Sequence, residues 1–172
     1  MAKVSIVMGS DSDMKVMKGS VDILSEFGID YEIAVISAHR TPELLDSYIK
    51  TLENKGYSCV IAGAGGAAAL PGVIAALTSL PVIGVPVKST ISIDGWDSIL
   101  SILQMPSGIP VATVALDNSK NAALLAVRII ALFEDSIAEK LKEFNANLKL
   151  KVVESNKRVK EQGFNVADLD IL

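Results

Sequence analysis

The stretch GYSCVIAGAGGAAALPGVIAALTSLPVIGVPV, Gly56 to Val87, holds no charged residue. About 20 apolar residues in one helix suffice to cross a bilayer, so length alone admits a membrane span. The punctuation argues against one. Gly63, Gly65, Gly66, Gly72 and Gly84, with Pro71, Pro81 and Pro86, cut the stretch into short pieces. In lipid, the backbone groups at such breaks would go unpaired. The stretch therefore reads as strand, glycine loop, helix and strand, all deeply buried. So much uncharged sequence in a small domain also suggests that other subunits cover part of its surface.

The same rhythm extends in both directions. Apolar runs at Val4–Met8, Tyr31–Ile36, Cys59–Ala62, Val82–Val87 and Val111–Ala115 alternate with helical patterns at 12–27, 42–55, 67–78, 96–104 and 119–134. Strand–helix alternation predicts a parallel sheet covered on both faces. Near-continuous apolar strands fit that arrangement better than a half-exposed antiparallel sheet. The expected fold is a three-layer, flavodoxin-like α/β sandwich over residues 1–134.

Residues 135–172 read differently. Ile137, Leu141, Phe144 and Leu148 make one helical stripe through Asp135–Glu161. Lys140, Lys142, Lys149, Lys151, Lys157, Arg158 and Lys160 make the segment basic, but acidic residues are interspersed, as on a solvated face. The stripe is expected to dock on a neighbouring subunit or on the back of its own domain, and the tail Gly163–Leu172 to be loosely ordered.

Composition narrows the function. The chain has 172 residues, enough for one sizeable core, and half of them are hydrophobic. Mean hydropathy is +0.42, and the pI near 5.0 with a net charge of -4 argues against a nucleic-acid partner. The lone Cys59 cannot form an intrachain disulfide and lies in an apolar run, so an inert buried thiol and a cytoplasmic location are expected. The chain opens on a strand pattern at Lys3, so no leader peptide is expected. No Walker loop, metal cluster or nucleophile elbow is present. The default is chemistry without metal or cofactor.

Three loops follow predicted strands, where an open α/β sheet puts its ligand. In Gly9-Ser10-Asp11-Ser12-Asp13, helix N–H groups and serine hydroxyls can hold a phosphate, or simply cap the helix. Asp13 suits ribose hydroxyls, because a carboxylate only accepts. In Ser37-Ala38-His39-Arg40-Thr41-Pro42, Pro42 fits a first helical turn with Thr41 as N-cap. Arg40 can grip a phosphate with two parallel bonds. His39 is the chain's one histidine, hence its one side chain suited to both giving and taking a proton near neutral pH. In Ala62–Gly72, Gly63, Gly65 and Ala68 match a loose G-x-G-x-x-A pattern. A dinucleotide site is rejected, since the loop follows the third strand and the first acid downstream of it is Asp94, too far on to hold a ribose. What remains is a loop whose backbone can closely approach a flat ligand.

With these loops in this order, the chain resembles the class I N5-carboxyaminoimidazole ribonucleotide mutases of purine biosynthesis. MGSDSD, SAHRTP, AGAGGAAALPG, GVPVKS, DSILSILQMPSGIPVATVA and NAALLA carry the resemblance across most of residues 3–127. It implies an isomerase that moves a carboxyl group from the exocyclic nitrogen to C4 of an aminoimidazole ribonucleotide, assembled as a homo-octamer. It also implies that Ser10, Ser12, Asp13 and Arg40 hold the ribose phosphate. Ser37 and the Gly65-Gly66 backbone would surround the base, with His39 as catalytic acid and base. Metal, ATP and biotin are not required. Two features depart from the family's pattern. Ala69 stands where that pattern has His, and the loop Lys88–Asp97 is one residue longer, with an unusual Trp96. Two alternatives follow. One is a class II carboxylase using free carbon dioxide, whose third loop resembles AGRSN rather than the AGAGG found here. The other is a non-catalytic nucleotide-binding paralogue, which Ala69 would suit.

Overall fold

The computed structural model describes residues 2–167; of the tail considered above, 168–172 lie outside the described residues. Five strands make one sheet: β1 (Lys3–Met8), β2 (Asp30–Val35), β3 (Tyr57–Gly65), β4 (Val82–Val87) and β5 (Ala112–Thr113). Their order is β2-β1-β3-β4-β5, and every neighbouring pair is parallel. Six helices accompany them: α1 (Met14–Phe27), α2 (Pro42–Leu52), α3 (Leu70–Leu77), α4 (Trp96–Leu103), α5 (Ser119–Ile130) and α6 (Asp135–Glu161). The architecture is the flavodoxin-like sandwich expected from the alternation. In this strand order the chain reverses direction of growth between β1 and β3, the place where such sheets open a crevice at their C-terminal edge.

Strand alternation explains the three layers. On β1, Val4, Ile6 and Met8 point to one face and Val7 to the other. On β3, Cys59 and Ile61 join the first face, while Val60, Ala62 and Ala64 join the second. The first face packs against α1, α5 and the start of α6 through Met17, Leu24, Ala126, Val127 and Ile137. The second packs against α2, α3 and α4 through Leu45, Ile49, Ile74 and Ile102. Each fully buried aliphatic side chain contributes roughly 1.5–3 kcal/mol relative to exposure. Cys59 is wholly buried, and that burial pushes its thiol up to about 12.

Within the uncharged stretch every residue of β4 is buried by the chain itself, while Val73 on α3 is exposed. More apolar surface lies elsewhere. The edge strand β2 exposes Tyr31, Ile33 and Val35, and the segment around α4 exposes Ile91, Ile93, Trp96, Leu100 and Leu103. Helix α6 divides at its middle. Ile137, Leu141 and Phe144 pack on the chain's own core, Phe144 against Phe27 at 5.5 Å between ring centres. Lys140 Nζ donates to the Phe27 carbonyl at 2.7 Å, at the C-terminus of α1. Farther on, Leu148, Leu150, Val152 and Val159 are exposed.

Several boundaries move. Residues 11–13 form a 3-10 turn before α1 begins at Met14, and 53–55 form another after α2. Helix α3 begins at Leu70 rather than 67, because Ala68 takes φ +40°, outside the helical region. Strand β3 runs through Gly63 to Gly65, longer than the apolar run alone suggested. Strand β5 shrinks to two residues at the sheet edge.

Candidate active site

At the C-terminal edge of the sheet, four loops enclose a cavity of about 470 Å³. Its walls come from Gly9, Ser10, Ser12 and Asp13 after β1, Ser37–Arg40 after β2, Ala64, Gly65 and Ala68–Leu70 at the end of β3, and Ser89–Ile91 after β4.

The β1 loop turns immediately into a helical start. Ser10 caps the 3-10 turn, its Oγ accepting from the Ser12 backbone N–H at 3.3 Å and from the Ser12 hydroxyl at 3.0 Å. The cap reading of this loop is therefore realised, and both serines still line the cavity. Asp13 also lines it, yet is only 8% exposed. Burial raises its carboxyl above the ordinary value of 3.8, against the opposing hydrogen bonds from Ser10 and Ser12.

The β2 loop is a tight turn closed by side chains. The Thr41 backbone N–H and hydroxyl both donate to the Ser37 carbonyl, at 2.9 and 3.1 Å. Thr41 Oγ1 in turn accepts from the Ser37 N–H at 3.3 Å. Thr41 sits at the N-cap position, but its side chain does not cap α2 as the sequence suggested; it faces back to fix the turn. Pro42 opens α2 as expected. Arg40 Nε donates to Ser37 Oγ at 3.3 Å, and a terminal guanidinium nitrogen reaches the Gly9 carbonyl at 3.1 Å. Arg40 thereby ties the β2 loop to the β1 loop. His39 stands exposed at the apex of this turn, on the cavity wall.

The glycine loop differs in detail from its sequence reading. Gly65 lines the cavity, whereas Gly66 is buried outside the lining. Gly66 takes φ +60°, the left-handed conformation that glycine adopts without strain. The Ala68 N–H closes the turn on the Gly65 carbonyl at 3.2 Å. Gly65 is needed for space: a Cβ there would stand 2.9 Å from the Val87 carbonyl oxygen and 2.9 Å from Ser89 Cβ. Ala69 faces the cavity, so a larger side chain at that position would project toward the ligand space.

The fourth wall escaped residue-by-residue sequence reading. GVPVKS ends on Ser89 and carries the family resemblance without giving that residue a role, and Thr90 and Ile91 carry no pattern that announces a site. The rule that ligands gather beyond the C-terminal ends of parallel strands points to β4 as much as to β1–β3. Trp96, 63% exposed, lies outside the lining. Lys88 is held in the same loop by Asp94 at 2.8 Å, while its backbone N–H donates to Asp117 at 2.9 Å.

The cavity thus offers hydroxyl and backbone N–H donors and a guanidinium at one end, a histidine beside it, and a small-residue wall at the other. That set can hold a phosphorylated ligand and move a proton on it. Among the described residues, no group of three His, Cys, Asp or Glu side chains is placed to share a metal ion. No described helix is long and apolar enough to cross a membrane.

Comparison with known proteins gives a consistent picture. The family model described as AIR carboxylase matches residues 3–151. An N5-carboxyaminoimidazole ribonucleotide mutase of Pyrococcus horikoshii is 60% identical over 161 residues, covering 94% of this chain and 90% of its own length. One from Thermotoga maritima is 53% identical, covering 95% of each chain. Among solved structures, Treponema denticola PurE superimposes with a TM-score of 0.82 at 34% identity, covering 93% of this chain and 99% of its own.

Proposed function

The chain belongs to the AIR carboxylase family, and on that premise we propose that it isomerises N5-carboxyaminoimidazole ribonucleotide to 4-carboxy-5-aminoimidazole ribonucleotide in purine biosynthesis. One observation carries the reading: the chain's one histidine shares a single cavity with Arg40, the serine loop and the glycine loop. Curated mutases at 53–60% identity support the same activity. They favour it over the free-carbon-dioxide and non-catalytic alternatives.

The chemistry follows from those residues. Arg40 and the Ser10 and Ser12 loop bind the phosphate, the guanidinium giving charge-assisted bonds and the turn giving N–H donors. Asp13 accepts from the ribose hydroxyls. Ser37 and the Gly65 backbone border the imidazole. His39, protonated, gives its proton to the exocyclic nitrogen. The C–N bond breaks, its electron pair stays on nitrogen, and carbon dioxide is freed. The enamine carbon C4 then attacks carbon dioxide, forming the new C–C bond. Neutral His39 removes the proton left on C4 and is restored. The same side chain serves both transfers. The apolar side of the cavity, Ala64, Ala68, Leu70 and Ile91, limits escape of carbon dioxide and entry of water. The position of Ala69 at the cavity wall means that the proton work falls to His39 alone.

Assembly and location belong to the same reading. A homo-octamer is supported by the apolar side chains that β2, the α4 segment and the far half of α6 expose in the single chain. The far half of α6 would pack on a neighbouring subunit. A cytoplasmic location suits the substrate. Light scattering at micromolar concentration is expected to give eight times the chain mass; a monomer would contradict the assembly. The activity itself is tested by supplying the N5-carboxylated nucleotide in ATP-free buffer depleted of carbon dioxide. Rapid appearance of the C4-carboxylated product is expected. Product formed only from aminoimidazole ribonucleotide and bicarbonate would point to the carboxylase instead.

A further inference from the structure

Ser89 lies two residues past β4 and lines the cavity beside Gly65. Its Oγ is the one buried side-chain oxygen or nitrogen among the described residues that has no hydrogen-bond partner. Buried polar groups are paired in nearly all native structures, and exceptions concentrate where a ligand or water completes the set. The position is also built around this side chain. Gly65 has no Cβ, and one placed there would stand 2.9 Å from Ser89 Cβ and 3.4 Å from its Oγ. The glycine leaves the end of β3 open to the serine, so the hydroxyl rests at the cavity wall without a protein partner.

Strand order says which end of a ligand it meets. The phosphate-binding groups lie after β1 and β2, the small-residue wall ends β3, and Ser89 follows β4 on the far side of β3. A ribonucleotide with its phosphate at the first end turns its imidazole carboxyl group toward the last. We infer that Ser89 is a substrate-positioning residue, its hydroxyl donating a hydrogen bond to that carboxylate. The inference rests on the functional reading above. A neutral donor suits a group that must pass through uncharged carbon dioxide. A cation in its place would favour the bound carboxylate strongly and resist its release. The nearest cation of this loop, Lys88, is paired with Asp94.

The test compares two nucleotides that differ only in the carboxyl group. Calorimetry measures binding of 4-carboxy-5-aminoimidazole ribonucleotide and of 5-aminoimidazole ribonucleotide to the wild type and to Ser89→Ala, with thermal unfolding of the ligand-free proteins alongside. Loss of one hydrogen bond to a charged group is expected to weaken the carboxylated nucleotide roughly 10-fold or more. The decarboxylated nucleotide should bind as before, and the unfolding midpoint should stay or rise, since an unpaired hydroxyl has gone. Equal weakening of both nucleotides, or of neither, would overturn the inference while leaving the functional reading intact. A folded wild type that binds neither would overturn both.

Discussion

Toward the N-terminal ends of β1, β2 and β3, polar side chains close into one network; at the C-terminal edge of the sheet, hydrogen bonds within the loops leave a buried carboxyl, a strained alanine and an unpartnered hydroxyl. In the first region Glu32 accepts from Tyr57 at 2.7 Å, Lys3 at 3.1 Å and Tyr48 at 3.3 Å, and Tyr48 pairs with Ser5 at 3.0 Å. Lys3 also stands 4.5 Å from the centre of the Tyr57 ring. The hydrogen bonds from Tyr57 and Lys3 hold the Glu32 carboxyl below its usual value. Burial pushes the Tyr48 hydroxyl up to about 12. In the second region Asp13 is buried against its ionisation, Ala68 takes a positive φ, and Ser89 has no partner. Unpaired and strained groups cost stability and persist where they act on a ligand. One end of the sheet is arranged for folding, the other for binding.

Substitutions should separate the two ends. The largest effect belongs to His39→Asn. Removing the proton carrier should lower kcat roughly 10²- to 10⁴-fold. Nucleotide affinity and unfolding temperature should hold, because His39 is exposed. Unchanged turnover would remove the role assigned to it. Arg40→Ala comes next. It deletes the charge at the phosphate end and the tie to Gly9, and should raise KM roughly 10- to 100-fold.

Asp13→Asn should trade binding for stability. In the fold the carboxyl is held above 3.8, chiefly by burial. The folded state therefore keeps this proton more readily than the unfolded chain, and stability falls as pH rises through that window. At neutral pH the penalty is fully present, so Asp13→Asn should raise the unfolding temperature there. Below pH 3.8 the gain should vanish. Nucleotide binding should weaken at neutral pH. Thermal unfolding across pH reads the first effect and titration the second; a variant less stable at neutral pH would contradict the account.

Glu32→Gln should be the mildest. Glu32 is largely exposed, so loss of its network should cost a few tenths of a kcal/mol after screening. Because its folded carboxyl is lowered, that contribution is present above the ordinary 4.5 and fades as pH falls below it. Kinetic constants should not move. A fall in kcat would break the division between the ends.

The sheet and three of the four site loops were legible in the sequence, because strand alternation and loop chemistry are local signals. His39, Arg40, Ser10, Ser12, Asp13, Ser37 and Gly65 do share one cavity. The misses have non-local causes. Gly63 and Gly65 looked like loop residues, yet they lie in β3, where Met17 and Ser89 occupy the room a Cβ would take. Gly66 looked like a ligand-facing glycine, yet its φ answers to the turn. Thr41 looked like a cap, but its hydroxyl found Ser37. Ser89 closes the GVPVKS stretch, but its importance depends on what β3 leaves open beside it.

The central claim is that this cavity moves a carboxyl group within one nucleotide. The direct measurement supplies N5-carboxyaminoimidazole ribonucleotide labelled with carbon-13 in its carbamate, in buffer holding unlabelled bicarbonate. The account predicts a C4-carboxylated product that keeps most of the label. A product carrying the carbon of the buffer would contradict it.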